Sequence, residues 1–157
     1  MKFRMIVLFL AVVACAAVAS AQNFGVHAGY YSSDLKQWFA GADVMIPFGP
    51  VALIPNVDYS RKNGLGYWFA SADLDLHYKE TGAFHPNMDY WFGAGPTYGY
   101  ITGYNSSIYG SSSEHQWGWD VNGGFGFAAE HTHPYFTARY IKIKDFKTIG
   151  GAIGLRF

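Results

Sequence analysis

Apolar and polar residues alternate one by one along most of the chain after residue 22, a pattern typical of β-strands with two unlike faces. The segment from Trp68 to Tyr78 shows the alternation most clearly. Its even positions hold Trp, Ala, Leu and Tyr, whereas the odd positions from Ser71 to His77 hold Ser, Asp and His. A helix would mix these two sets on every side, because its side chains repeat about every 3.6 residues. The pattern therefore predicts an all-β protein.

Seven further segments alternate in the same way, so the sequence predicts eight strands. They cover residues 23–32, 37–48, 51–61, 67–79, 87–101, 116–129, 134–144 and 147–157. Each is close to the roughly 9–11 residues with which a tilted strand crosses a bilayer. Pro55 and Pro96 lie inside two of these strands. Since proline has no N–H for a sheet, we expect bulges or strand ends at both positions.

The two faces of the predicted strands differ in a way that decides which face is the interior. A water-soluble barrel would turn its polar face outward, but this polar face is rich in glycine and sparse in charge. As an interior it is suitable, because small residues fit the narrow bore of about eight strands and opposite charges can pair there. We expect an interior polar network made of Asp43, Asp58, Asp73, Asp75, Asp120, Arg139 and Arg156.

The other face is suited to contact with lipid. Aromatic residues lie towards the strand ends, as Trp68 and Tyr78 do, with small and aliphatic residues between them. Two such aromatic girdles flank the apolar band of barrels that span membranes. Closing the sheet removes its edges, which hydrocarbon does not tolerate. The sequence thus predicts a closed antiparallel up-and-down transmembrane β-barrel of about eight strands.

Most connections fit this architecture, whereas two on the predicted periplasmic side, Lys79–Pro86 and Glu130–Pro134, are only moderately short. Phe48-Gly49-Pro50 predicts a tight turn, and Asn63-Gly64 is a hairpin signal. The longest connection, from Thr102 to His115, is rich in serine. With the N-terminus in the periplasm, it becomes the third outer loop. Within it, three apolar residues either form a contact for an extracellular ligand or rest against the membrane interface: Tyr104, Ile108 and Tyr109.

The first 21 residues have the layout of a secretory signal peptide. A basic head with Lys2 and Arg4 precedes an uncharged apolar run, and Ala19-Ser20-Ala21 is typical of a cleavage site. We therefore divide the chain into a cleaved signal peptide, residues 1–21, and a barrel domain, residues 22–157. Cys15, the one cysteine, lies in the segment removed, so cysteine chemistry is not expected in the mature protein.

Composition and charge exclude some functions. Only 14% of the residues are charged and 19% are aromatic. Without Lys2 and Arg4, nine basic residues remain against 11 acidic ones, a net charge of −2. No basic stripe supports binding to nucleic acid.

The C-terminal segment Thr148-Ile149-Gly150-Gly151-Ala152-Ile153-Gly154-Leu155-Arg156-Phe157 resembles the closing strand of bacterial outer-membrane barrels. With Tyr90-Trp91-Phe92-Gly93-Ala94-Gly95 and Pro134-Tyr135-Phe136-Thr137-Ala138-Arg139-Tyr140, the mature chain resembles the superfamily of small OmpA-like, OmpX-like and opacity-like barrels. The resemblance implies location in a Gram-negative outer membrane, contact with its lipid and lipopolysaccharide, and delivery by periplasmic chaperones. It also implies that the barrel-assembly machinery reads the final strand, through Thr148, Gly150, Ile153, Leu155 and Phe157.

Candidate catalytic groups have structural interpretations that we favour. Asp73 and Asp75 are expected to neutralise Arg139 or Arg156 rather than to catalyse. Ser71 and His77 share a face, but six residues of strand separate them by roughly 20 Å. His131-Thr132-His133 lies in a predicted turn without a third ligand nearby, so we expect neither a metal nor a cofactor.

Three functional hypotheses follow. The first is a non-catalytic outer-membrane barrel with a structural or surface-interaction role, such as adhesion or ligand binding. The second is a small pore or solute channel, which the filled bore of about eight strands disfavours. The third is a membrane-embedded hydrolase that modifies lipids, and His27 and His77 are the residues whose mutation would test it.

Overall fold

The computed structural model describes residues 24–82, 85–102, 114–127 and 132–157. The strands are β1 (Phe24–Tyr31), β2 (Gln37–Val44), β3 (Ile46–Phe48), β4 (Val51–Lys62), β5 (Leu65–Gly82), β6 (His85–Thr102), β7 (Glu114–Phe127), β8 (His133–Ile143) and β9 (Phe146–Arg156). Within these ranges, no helix has the length and apolar character needed to cross a membrane. The predicted signal peptide lies outside the described residues.

The strands form one closed antiparallel barrel. Each strand from β3 to β8 pairs with the strand that follows it, β9 pairs with β1, and β2 pairs with both β1 and β4. β2 and β3 are two parts of one barrel strand interrupted at Met45, so the barrel has eight strands. This confirms the predicted fold class. The predicted strand ends agree to within three residues where the chain is described.

The expectation for the two prolines was wrong. Pro55 pairs with Ala72 on β5 and Pro96 pairs with Trp119 on β7, both in the middle of their strands. The register continues past each proline without a shift. Each proline instead leaves one ladder without a recorded pair at its own position: Pro55 on the side of β2 and β3, and Pro96 on the side of β5. A missing N–H thus removes a local pairing while the closed sheet holds the register.

Two of the expected turns have the backbone that their sequences favour. Asn63 and Gly64 both have positive φ, of 52° and 81°, as a type I′ hairpin requires. Gly49 has a φ of 74° in the turn between β3 and β4. We call the end of the barrel that carries the β1–β2, β4–β5, β6–β7 and β8–β9 connections the upper end. The lower end holds Phe24 and Phe157.

The faces are arranged as the alternation predicts, with apolar side chains outside. Leu74 is 59% exposed and Trp68 is 41% exposed, whereas Asp58 and Asp73 are 1% and 0% exposed. The exposed aromatics form two belts of different composition. The upper belt contains Tyr30, Trp38, Tyr59, Trp68, Trp117 and Trp119. The lower belt is rich in phenylalanine: Phe24, Phe48, Tyr78, Tyr90, Phe92, Phe125, Phe136 and Phe157.

Candidate functional site

The barrel interior is built from large polar side chains that lie over glycines of the neighbouring strand. A Cβ added to Gly93 would come within 1.9 Å of the Asp75 carboxylate, and one added to Gly41 within 2.1 Å of that of Asp58. A Cβ added to Gly25 would come within 2.6 Å of the Asp43 carboxylate, and one added to Gly95 within 2.6 Å of that of Asp73. The inward glycines therefore give the carboxylates room inside a narrow bore.

Arg139 on β8 is the centre of the network. Its Nη1 donates to Asn56 Oδ1 at 2.7 Å and to Asp58 Oδ2 at 3.1 Å. Its Nη2 donates to Asp73 Oδ2 at 3.4 Å. Its Nε lies 3.0 Å from Asp120 Oδ2, but the N–H is not directed at that oxygen, so this contact is an ion pair without a hydrogen bond. One guanidinium thus links β4, β5 and β7 to β8 across the bore.

A second cluster lies closer to the lower end. Arg156 donates to Asp43 Oδ1 from Nη2 at 2.6 Å and stacks over the Tyr135 ring, with its Cζ 5.0 Å from the centroid. Both ring nitrogens of His27 face carboxylates: Nε2 lies 2.6 Å from Asp58 Oδ1 and Nδ1 lies 3.3 Å from Asp43 Oδ2. His27 therefore joins this cluster to that of Arg139.

All seven residues of the predicted interior network are inside the barrel, but their pairing differs in part from expectation. Asp73 contacts Arg139, as expected. Asp75 instead accepts a hydrogen bond from Asn122 Nδ2 at 3.0 Å. The same amide nitrogen also donates to Asp73 Oδ2, at 3.1 Å, so Asn122 joins the two carboxylates.

Five further polar residues belong to this network and were not predicted from the sequence. They are His27, Tyr31, Asn56, Asn122 and Tyr135. Their positions carry a usable signal, because each lies on the polar face of its strand, among glycines on β1 and β7 and in line with Asp58 on β4 and Arg139 on β8. Large polar residues at such positions need partners inside the barrel, since a buried polar group without a hydrogen bond is costly.

An apolar plug fills the bore above the charged network. It contains Tyr31, Leu35, Phe39, Phe69, Ile141, Ile143 and Ala152. The β1–β2 turn supplies Leu35, which is 2% exposed, and Lys62 Nζ donates to the Leu35 carbonyl. Thr148 Oγ1 also donates to the Ser32 carbonyl, at 2.6 Å. These bonds hold the turn against the mouth of the barrel.

The space left in the bore is small. One cavity of about 20 Å³ lies beside Asp75 and Arg156, and one of about 10 Å³ lies beside Tyr31 and Phe39. A cavity of roughly 10–15 Å³ holds one water molecule. Among the described residues, side chains therefore fill the bore around these two cavities, neither of which has space for a solute of ordinary size.

A larger cavity, of about 370 Å³, opens at the upper end. Its walls are mainly apolar, among them Phe69, Ile101, Ile143 and Phe146, and its polar lining comes from Gln116 of β7 and from Lys144 and Asp145 of the β8–β9 turn. The opposite half of the mouth is occupied by the β1–β2 turn with Leu35. In the described part of the upper end, the cavity and the β1–β2 turn therefore lie on opposite sides of the mouth.

Two of the candidate catalytic residues, Ser71 and His77, do not pair with each other. Ser71 Oγ lies 3.1 Å from Thr97 Oγ1, and His77 Nδ1 lies 2.9 Å from Asp89 Oδ2. His77 and Ser71 therefore have separate partners. Among the described residues, no group of three His, Cys, Asp or Glu side chains could hold a metal ion. His131 lies outside the described residues, and His133 begins β8.

The residues of the predicted assembly signal have clear places on β9. Thr148 and Gly150 point inward, where Gly150 makes room for the Tyr31 ring, 2.7 Å from a Cβ added there. Ile153, Leu155 and Phe157 point outward and are 71%, 43% and 42% exposed. Tyr104, Ile108 and Tyr109, the proposed loop contact, lie outside the described residues.

Charge is distributed unequally between the two ends. The upper end carries six basic residues, Lys36, Arg61, Lys62, Lys142, Lys144 and Lys147, against the acidic residues Asp34, Glu114 and Asp145. The described part of the lower end outside the bore has Lys79 with Glu80 and Asp89. The upper end is therefore the basic end of the molecule.

Comparisons with known proteins find similarity at the level of the fold. No protein-family model matches the chain, and no curated protein matches its sequence. The N-terminal β-barrel domain of Pseudomonas aeruginosa OprF superposes with a TM-score of 0.59 at 13% identity, covering 87% of this chain and 98% of that one. Neisserial surface protein A gives a TM-score of 0.57 at 12% identity, covering 87% and 95%. Ail, the attachment invasion locus protein of Yersinia pestis, gives 0.54 at 12% identity, covering 86% and 97%. The chain therefore has the fold of the small eight-stranded outer-membrane barrels.

Proposed function

We propose that this protein is a non-catalytic barrel of the bacterial outer membrane with a structural or surface-interaction role. One observation carries the proposal: the exposed face is apolar and the enclosed face is charged. Exposed Leu76, Phe92 and Ile153 at 60%, 66% and 71% would be unfavourable in water, whereas lipid solvates them. Polar groups of the backbone are satisfied within the closed sheet, as hydrocarbon requires.

Fractionation tests the location. We expect the protein in the outer-membrane fraction, soluble only with detergent, and migrating as a compact band on gels unless it is boiled. Recovery from the soluble periplasm without detergent would reject the proposal. Cleavage after Ala21 is the accompanying expectation, and the N-terminal residue of the mature protein tests it.

The orientation assigns the upper end to the cell exterior. An N-terminus in the periplasm places Phe24, Phe157 and the short β3–β4 turn inside, and the longest connection, between β6 and β7, outside. An epitope tag inserted between residues 106 and 107 should then react with antibody on intact cells, and a tag in the Gly49–Pro50 turn should not. The reverse result would invert the assignment.

Two observations favour a surface-interaction role for the upper end. Its 370 Å³ cavity is within the range of roughly 300–1,000 Å³ that ligand pockets occupy. Its surplus of basic residues suits anionic ligands. The Ail protein of Yersinia pestis has been crystallised in complex with the heparin analogue sucrose octasulfate. We propose that the upper end here likewise contacts an extracellular ligand, with the third outer loop contributing.

Biogenesis is proposed to follow the usual route for such barrels. Periplasmic chaperones would deliver the chain, and the barrel-assembly machinery would read Thr148, Gly150, Ile153, Leu155 and Phe157. The inward positions of Thr148 and Gly150 serve packing, so the outward Ile153, Leu155 and Phe157 are the residues free to contact that machinery. Substitution of Phe157 by Ala should slow assembly without changing the stability of the folded barrel by more than about 1 kcal/mol.

A further inference from the structure

Two lysines face each other on the lipid-facing side of the barrel at its upper end. Lys142 on β8 pairs directly with Lys147 on β9. Both side chains are exposed, and both stand on the outward face because Ile141 and Thr148 beside them are buried. Directly opposed residues of an antiparallel pair have Cβ atoms roughly 4.5–5.5 Å apart, and like charges there are destabilising.

No acidic side chain in the described part of the chain forms an ion pair with either lysine. The recorded ion pairs involve His27, His77, Arg139 and Arg156, not these lysines. Two carboxylates are close by: Asp34 Oδ2 accepts a hydrogen bond from the backbone N–H of Lys147, at 3.0 Å, and the exposed Asp145 lies in the β8–β9 turn. The two ammonium groups are therefore close enough to bind one anion together.

The height of the pair on the barrel identifies the anion. Phe157 directly follows β9, ten residues after Lys147, which is about 33 Å along an extended chain. With a tilt of roughly 35–45°, that is about 25 Å along the barrel axis, which equals the height of the apolar band of such barrels. With Phe157 in the lower belt, Lys147 lies at the upper edge of the band, where lipid headgroups are.

The residue that pairs with Lys142 on β7 indicates the same height on the barrel. Lys142 pairs with Trp119 on β7, an outward residue of the upper belt that is 47% exposed. Tryptophan prefers the interface between hydrocarbon and headgroups, where its N–H reaches polar groups. A soluble polyanion would meet the turn tips first, whereas Lys142 and Lys147 stand on the side of the strands that faces lipid.

We propose that Lys142 and Lys147 bind the phosphate of an anionic lipid headgroup in the leaflet around the upper end, with Trp119 against the adjoining part of the lipid. This inference rests on the proposed function, since it requires the barrel to be in a membrane. A phosphate between the lysines accepts hydrogen bonds from both ammonium groups and removes their repulsion. The described lower end offers no outward cation pair, so the lipid preference belongs to one leaflet.

The test measures lipid affinity directly. The protein is folded in detergent micelles and titrated with phosphatidylglycerol or phosphatidylcholine, and the first bound lipid is quantified by native mass spectrometry. Each cation near an anionic lipid surface contributes a factor of about 5, so two contribute about 30-fold. We expect the wild type to prefer phosphatidylglycerol by about that factor and K142Q/K147Q to lose most of the preference. The variant K142R/K147R should retain it.

A matched control removes the same charge elsewhere. K36Q/K79Q deletes one lysine from a turn tip of the upper end and one from the lower end, and it should keep the lipid preference. Equal loss in both double variants would overturn the proposal in favour of a general charge effect. Absence of any lipid preference, with heparin binding that depends on Lys142 and Lys147, would overturn it in favour of a soluble polyanion.

The proposed location in the membrane has its own readout. Heat-modifiable migration of K142Q/K147Q in neutral phosphatidylcholine vesicles reports insertion without reference to the lysine pair. A folded, inserted variant with unchanged lipid preference contradicts only the lipid site. A wild type that fails to insert at all contradicts the proposed function itself.

Discussion

Replacement of Arg139 by leucine would remove the cation that links Asp58, Asp73 and Asp120 across the bore. Arg139 lies within 3.1 Å of Asp58, 3.4 Å of Asp73 and 3.0 Å of Asp120. Its removal leaves buried carboxylates without their cation, and the apolar leucine side chain cannot donate the hydrogen bond to Asn56. Breaking a buried ion pair by removing one partner costs about 3–5 kcal/mol. Since small domains are stable by only about 5–15 kcal/mol, the loss should be large.

The assay is urea unfolding in neutral lipid vesicles, followed by tryptophan fluorescence. Trp38, Trp68, Trp117 and Trp119 point outward, so their emission should shift strongly when they leave lipid for water. We expect R139L to lower the free energy of unfolding by about 3–5 kcal/mol. The conservative variant R139K should lose less, because it keeps the charge and loses the two-pronged hydrogen bonding.

A second substitution separates charge from packing. If the penalty of R139L comes from uncompensated carboxylates, then D73N in the same chain should restore about 1–2 kcal/mol, a coupling of the size that contacting residues show. In the wild-type background, D73N should instead be neutral or destabilising, because it removes a partner of Arg139. A loss below about 1 kcal/mol for R139L, or no coupling with D73N, would refute the role of Arg139 as the counter-ion of the buried carboxylates.

Three further predictions address other parts of the barrel. Gly93→Ala should lower the free energy of unfolding by about 1–3 kcal/mol, because its Cβ would meet the Asp75 carboxylate at 1.9 Å. The control Gly123→Ala, at an outward position with its nearest contact at 3.3 Å, should change this free energy by less than about 0.5 kcal/mol. Equal effects in urea titrations would contradict the packing of carboxylates over glycines. Leu74→Arg, in the middle of the outward face, should cost about 2–4 kcal/mol in a bilayer, and an unchanged or higher stability in vesicles would argue that this face meets water. Planar bilayers that contain the protein should show no stable conductance, because side chains fill the bore, and reproducible open levels would revive the hypothesis of a pore.

The sequence by itself determined the strands, their turns and the direction in which each side chain points. These properties are local, because a strand repeats every two residues and a type I′ turn needs residues such as Asn63 and Gly64. The inversion of polarity was also readable: a face with glycines beside Asp73 and Asp75 makes a poor surface in water and a good narrow interior.

Only the tertiary structure decided which interior groups meet. Asp58 and Arg139 are distant in the chain, and their contact depends on the stagger with which the strands close into a barrel. The same stagger places both ring nitrogens of His27 between Asp43 and Asp58, and it gives Asp75 an amide partner where an arginine was expected. The tolerance of the sheet for Pro55 and Pro96 has the same origin, because a closed ladder keeps its register when a single N–H is missing.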